Sequence, residues 1–398
     1  MSKRLLRWTD WVKPEHAIGS SMAVLLLVLL MTAQAFPQAA VTANLAAEDE
    51  GRHDHGNALI ADQFNNRVVE VDRHGNIVWH FGLGPSDFSP ASIIGVNDAE
   101  RVGDLTLMAG TGTPGGQPEA PACTNPSGCL DNRVLLVNRH GKIVWQYGQF
   151  GVAGSGFDQL NTPVQNTWLP GGHILITDQV NERVIEVNLA KQIVWQYGTT
   201  GVSGNGPNQL NNPNCAELLE NGHILICDEN NNRAIEVTRA GDIVWQYGSG
   251  DPNINEPVSG VAFASRLKNG HTIITDSNHS RIVEIDEDKN VVWEYFTCTG
   301  AGCNLARGTG PLPTRAVRLR NGDTLISDQY NHRVIEVDRA KQIVHTFGKL
   351  GAIGYNTMSV AGGGLNSPYD AKRIGDYTGL TPPFGEDDGE EGNTGEPK

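Results

Sequence analysis

The stretch NGHILICDENNNRAIEV, residues 221–237, sets acidic and amide groups at Asp228, Asn230, Asn231 and Asn232 beside a charged pair, Arg233 and Glu236. Oxygen donors at alternate positions are how a calcium loop begins. The glycine and distal glutamate that complete such a loop are missing here, so the stretch reads as a turn. His53 and His55 of HDH would share one face of an extended strand and suit a metal, yet their setting is that of a flexible linker. The six cysteines contain no C-x-x-C pair, which argues against a zinc site.

The elements that must position these groups change their meaning. GGHILITDQVNERVIEVNLAKQIVWQYG (171–198) and NGDTLISDQYNHRVIEVDRAKQIVHTFG (321–348) repeat the same phrase, and further copies occupy 55–82, 221–248 and 269–296, with a damaged one ending at 148. Chemistry needs a residue once, so a residue present in nearly every copy belongs to the fold. That covers Asp62, Asp178, Asp228, Asp276 and Asp328, and Arg67, Arg133, Arg183, Arg233, Arg281 and Arg333. It also covers His173, His223 and His271, which hold one strand position. His279 and His332 fall in turns, and His80 and His345 on outer strands.

Each copy alternates as three strands, HILITD, RVIEV and QIVWQYG in the copy at 171–198, joined by tight turns. A fourth strand precedes most copies, as in LNTPVQNTWLPG and LNNPNCAELLEN. LNSPYDAKRIGD, from Leu365, has no strands after it, while the first copy has no such strand before it. The last strand therefore completes the first sheet and closes a ring without free edges. Trp79, Trp145, Trp195, Trp245, Trp293 and His345 recur at intervals of about 50 residues, which predicts an all-β, six-bladed β-propeller of four-stranded antiparallel blades over residues 57–376.

Gly201, Gly204, Pro213, Asp228, Asn231, Arg233, Gly248 and their counterparts carry a pattern that resembles the NHL-repeat family of β-propellers. The phrases NGHILI and IVWQY also resemble segments of bacterial arylsulfotransferase propellers, more loosely. The resemblance implies the fold and leaves function open, since such propellers include binding modules and several unrelated enzymes. Amidating lyases of this kind hold a metal with His from several blades, and arylsulfotransferases use a nucleophilic His in the channel. No inner strand of this chain supplies a matching His. Lactonase-like propellers hold a central Ca²⁺ with carboxylate and amide oxygens, which Asn166, Glu217 and Asp370 are of a type to supply. No cofactor is expected beyond that ion.

Function must then be sought where the copies differ. The inner strands carry Asn166, Trp168, Glu217, Arg266, Arg315, Arg318, Asp370, Lys372 and Arg373. At one channel mouth a mixed set of Arg and carboxylates suits an anionic or sugar-like ligand; alternatively the charges pair with one another and fill a narrow channel. Two insertions stand out, residues 109–132 with Cys123 and Cys129, and 297–313 with Cys298 and Cys303. Strand direction suggests opposite faces of the ring for them. Cys215 and Cys227 flank a short turn that sets them opposite each other, so three local disulfides are expected among the fifteen pairings that six Cys allow.

Disulfides imply an oxidising compartment. Basic residues, an apolar run from Met22 to Met31 and Ala33-Gln34-Ala35 read as a signal peptide cut after Ala35; a retained anchor is the alternative and the only membrane link expected. A linker, residues 36–56, follows, and an acidic tail, 377–398, reads as disordered. The formal charge of −15 without a basic stripe disfavours nucleic acid. The sequence thus points to a secreted or extracytoplasmic, monomeric propeller that binds a small molecule, glycan or protein through its rim and channel mouth, with a hydrolase, lyase or sulfotransferase at that mouth as the competing reading.

Overall fold

The computed structural model describes residues 56–298, 312–355 and 358–376. The expected signal peptide, the expected linker up to residue 55, the HDH pair and the acidic tail lie outside these residues. Six four-stranded antiparallel sheets make up a β-propeller. The last strand, Pro368–Arg373, pairs antiparallel with Ala58–Asp62, matching Ala371 to Ile60 and Arg373 to Ala58, and so supplies the inner strand of blade one. Blades two to six begin at the inner strands Val96–Val102, Pro163–Leu169, Pro213–Leu218, Val261–Arg266 and Arg315–Arg318.

Blade sheets are apolar on both faces because each is covered by its neighbours. In blade three every residue of Arg183–Val187 is buried. Outer strands meet solvent, and Ile193–Tyr197 is mostly exposed until Tyr197.

The repeated Asp and Arg form one structural unit. Asp228 Oδ2 accepts from Arg233 Nε at 2.7 Å and from Asn231 Nδ2 at 2.8 Å, while Oδ1 accepts the Asn211 amide of the incoming linker at 2.7 Å. The same carboxylate-to-linker bond recurs from Asn161 to Asp178, Ser259 to Asp276 and Asn366 to Asp62. Asp62, Asp178 and Asp328 are buried enough that desolvation raises their pKa against the pull of the partner Arg, to about 6 for Asp328. Asn232 takes a left-handed φ of 51° and accepts the Gly260 amide at 2.9 Å. Asp228 and Asn231 bond each other while Asn232 reaches to Gly260, so DENNN forms a turn. His332 holds the equivalent place at the closing seam, where the Ser367 amide donates to its Nδ1 at 3.1 Å.

Blade two solves the same problem differently. Gly110 stands where the others have Asp, opposite Arg133. Asp131, from the far end of the insertion, supplies the carboxylate instead, at 2.5 Å from Arg133 Nε and 2.7 Å from the Ile94 amide. A Cβ on Gly110 would lie 2.5 Å from the Asp131 carboxyl carbon, so the substitution and the insertion belong together.

Cys215 pairs in register with Cys227, and both Cys215–Cys227 and Cys123–Cys129 are disulfides. The third expected pair falls partly outside the described residues, which omit Cys303.

A polar cavity at the channel mouth

In a four-stranded antiparallel blade, the turn between the second and third strands lies at the same end as the linker from the outer strand to the next inner strand. The insertion at 109–132 is such a turn, and 297–313 is such a linker. Thr113, Pro114 and Leu130 of the first and Leu312 of the second line one cavity. This corrects the expectation that the two insertions mark opposite faces; residues 299–311 lie outside the described residues.

The cavity holds about 410 Å³. The residue following each repeated Asp lines it: Gln63, Gln179, Glu229, Ser277 and Gln329, with Thr111 in the equivalent place of blade two. Asn97, Asn214, Thr314 and Tyr369, near the starts of inner strands, lie alongside. The clipped insertion walls one side. Its Ala120 packs with Phe64 of blade one and Tyr330 of blade six, and Asn366 Nδ2 donates to Glu119 O at 2.7 Å.

Two hydrogen-bonded arcs order the lining. Gln329 Nε2 donates to Gln63 Oε1, and Gln63 Nε2 to Asn97 Oδ1, each at 2.8 Å. In the other arc Asn212 Nδ2 and Asn214 Nδ2 both donate to Glu229 Oε2, at 3.0 and 2.9 Å. The Tyr369 hydroxyl lies 2.9 Å from Asn214 Nδ2. Burial raises the Glu229 pKa, opposed by those two amides, and burial together with the nearby Glu229 charge raises that of Tyr369. Glu229 is the one formally charged side chain among the described lining residues, and no Lys, Arg, His or Cys is among them.

None of the nine inner-strand candidates lines this cavity. Four of them meet in a buried cluster instead. Lys372 Nζ lies 2.8 Å from Asp98 Oδ1 and 2.5 Å from Asp370 Oδ2. Arg315 reaches Asp98 at 2.9 Å and Asp370 at 2.8 Å, and Asn166 Nδ2 donates to Asp98 at 2.7 Å. Blades one, two and six thus meet through opposite charges, as in the charge-pairing alternative, and blade three joins them through the Asn166 amide. Burial alone would raise Asp370; Lys372 and Arg315 overcome it and hold Asp370 below its ordinary value. Burial would lower Lys372, but Asp370 and Asp98 raise it. Two cations on Asp370 make it a poor Ca²⁺ ligand. Glu217 is buried near Ser265, and desolvation pushes its pKa well up. Among the described residues no group of three or more His, Cys, Asp or Glu is placed to hold a metal.

The remaining candidates, Trp168, Arg266, Arg318 and Arg373, turn between blades; the three Arg occupy the opposite strand parity to Arg315, Asp370 and Lys372. Arg266 stacks on Trp245 at 4.9 Å and pairs with Glu236 at 3.1 Å; Arg318 stacks on Trp293 at 5.0 Å and pairs with Glu284 at 2.7 Å. Arg373 repeats this on Phe347 and Glu336, and Arg101 on Trp79 and Glu70. Trp168 fills the same place in blade three and packs with Trp145 in one apolar cluster. These are seam residues. His173, His223 and His271 bind Glu186, Glu236 and Glu284 through Nδ1, which is a repeated scaffold contact.

Sequence reasoning passed over Glu229, Tyr369, Asp98 and the Gln series. The signal for the cavity was present: the residue after the repeated Asp reads Gln, Gln, Glu, Ser and Gln in blades one, three, four, five and six, a varying position beside an invariant one.

No family model matches the chain, and no curated protein matches it. Solved structures do. A protein of unknown function from Bacteroides caccae is 15% identical with a TM-score of 0.50, over 75% of this chain and 97% of that one. Virginiamycin B lyase from Staphylococcus aureus is 15% identical with a TM-score of 0.46, over 76% of this chain and 86% of that one. BamB from Moraxella catarrhalis is 14% identical with a TM-score of 0.36, over 75% of each chain. At such identity the likeness concerns the fold alone. The chain is a six-bladed β-propeller, and the NHL likeness rests on its repeat residues.

Proposed function

We propose that this protein is an exported binding propeller that holds a small polar molecule in the mouth cavity, beneath the clipped insertion. The observation that carries the reading is the lining: amide and hydroxyl side chains from several blades, two of its arcs ordered by hydrogen bonds, around one carboxylate. Such a concave, preformed set of donors and acceptors suits a hydrogen-bonding ligand of small size. Two disulfides support an oxidising compartment. Glu229 in the lining weighs against an anionic ligand. An enzyme at the same mouth is the second reading, favoured by Glu229, whose raised pKa suits a general acid or base.

The test is a thermal-shift screen of monosaccharides, polyols and amino acids against the wild type and Gln179→Trp. Gln179 lines the cavity and is half-buried, so the larger ring fills space there. The reading expects at least one ligand to raise the wild-type melting temperature and to lose that effect in the variant. Shifts that survive in Gln179→Trp would place binding elsewhere.

A further inference from the structure

We infer that the mouth cavity selects a ligand carrying a single cationic amino group, received by Glu229 Oε1. This deepens the binding reading above and rests on it.

The two amides that hold Glu229 both donate to Oε2. They fix the carboxylate and, among the described residues, leave Oε1 with no hydrogen bond. Glu229 is half-buried and lines the cavity, so Oε1 is the charged oxygen that an incoming group meets. An ionised carboxylate in a confined site with no cation among its described lining residues is poorly compensated; a ligand ammonium supplies the missing charge. Charge-assisted hydrogen bonds are about twice as strong as neutral ones. Gln179 offers an amide to the uncharged part of such a ligand, and Phe64 and Tyr330 give it an aromatic side wall. The chain's net charge of −15 favours the approach of cations over anions at long range.

The linkage has a definite sign. Burial raises the proton affinity of Glu229. Amine binding is therefore complete above the raised pKa and weakens as pH falls through it, while an alkylamine stays protonated throughout.

The experiment is ligand-observed NMR with size-matched fragment pairs, each an alkylamine and its hydroxyl analogue, plus carboxylate counterparts. Wild type, Glu229→Gln and Gln179→Trp are compared. In the wild type the amine should bind about tenfold or more tighter than its hydroxyl partner. The preference should vanish in Glu229→Gln and fade in the wild type as the pH is lowered. The wild-type pH series stands without the variant if Glu229→Gln fails to fold. Equal binding of amine and hydroxyl analogues, a preference for carboxylates, or an amine preference that survives in Glu229→Gln each overturns the inference. Neutral fragments sensitive to Gln179→Trp, without amine preference, would leave the binding reading standing and remove this one. If no fragment of any class responds to Gln179→Trp, the binding reading falls and the inference with it.

Discussion

Replacing Lys372 by Met probes the buried charge cluster where the first and last parts of the chain meet. The ammonium lies 2.8 Å from Asp98 Oδ1, 2.5 Å from Asp370 Oδ2 and 2.8 Å from Ala99 O. At an effective dielectric near 20, each ion contact is worth about 4 kcal/mol before desolvation. Met removes both contacts but also the cost of burying the ammonium, several kcal/mol. What remains is an uncompensated buried carboxylate, a net loss of about 3–5 kcal/mol. For a domain of this size that lowers the melting temperature by about 4–7 °C. Asp370 is depressed from 3.8, so its contribution is present above that value and lost as pH falls through the folded pKa. Lys372 is raised from 10.5, so its contribution is present below that value and lost only as pH rises through its folded pKa. Burial raises Asp98, which opposes Asp370 in part. The wild-type cluster is therefore fully effective between the acid and alkaline limits. In the Met variant two carboxylates share Arg315, and a proton relieves one of them. Thermal melts of both proteins at about pH 8 and about pH 5 should show the larger gap at the higher pH. A gap below about 1 kcal/mol, the range of an exposed ion pair, or one equal at both pH values, would refute the reasoning.

Three further outcomes are expected. Deleting residues 366–376 opens blade one and removes Asp370 and Lys372, so cooperative unfolding should be lost; an unchanged melting temperature would contradict ring closure. Gly110→Ala forces the Asp131 carboxylate off Arg133 and the Ile94 amide and should destabilise by about 1–3 kcal/mol, whereas Gly363→Ala, with nothing within 4 Å of its Cβ, should be neutral by the same denaturant titration. Removing Cys123–Cys129 by paired Ser substitutions should weaken ligand retention at the mouth while leaving the blades intact, whereas removing Cys215–Cys227 should cost about 2–3 kcal/mol of global stability in calorimetry.

The blade count, strand order and closing strand were legible because repetition exposes the scaffold. Asp228, Asn231 and Arg233 recur, and each proves to tie a turn to its own blade or to the incoming linker. The same logic misled where the proposed ligand-binding residue sits among repeated ones. Glu229 lies inside the DENNN run, and its role is set by Asn212 and Asn214, which only the fold brings to it. Asp131 was invisible as a member of the Asp series because the insertion moves it to the other side of the turn. Arg266 and Arg318 were read as channel residues because strand parity is needed to turn them toward Trp245 and Trp293. Asp98 was missed because its strand, VNDAERV, lacks the LNxP phrase that marks the inner strands of blades one, three and four. Cross-blade partners such as Asp98 and Arg315 are far apart in sequence, so no local pattern announces them.

The central claim is that the working site is the mouth cavity around Glu229 and Gln179. Crystals soaked with a library of small polar fragments test it most directly. The account predicts that bound fragments gather between Glu229, Gln179 and the clipped insertion. Fragments gathered on the opposite face, around His173, His223 and His271, with the mouth empty, would contradict it.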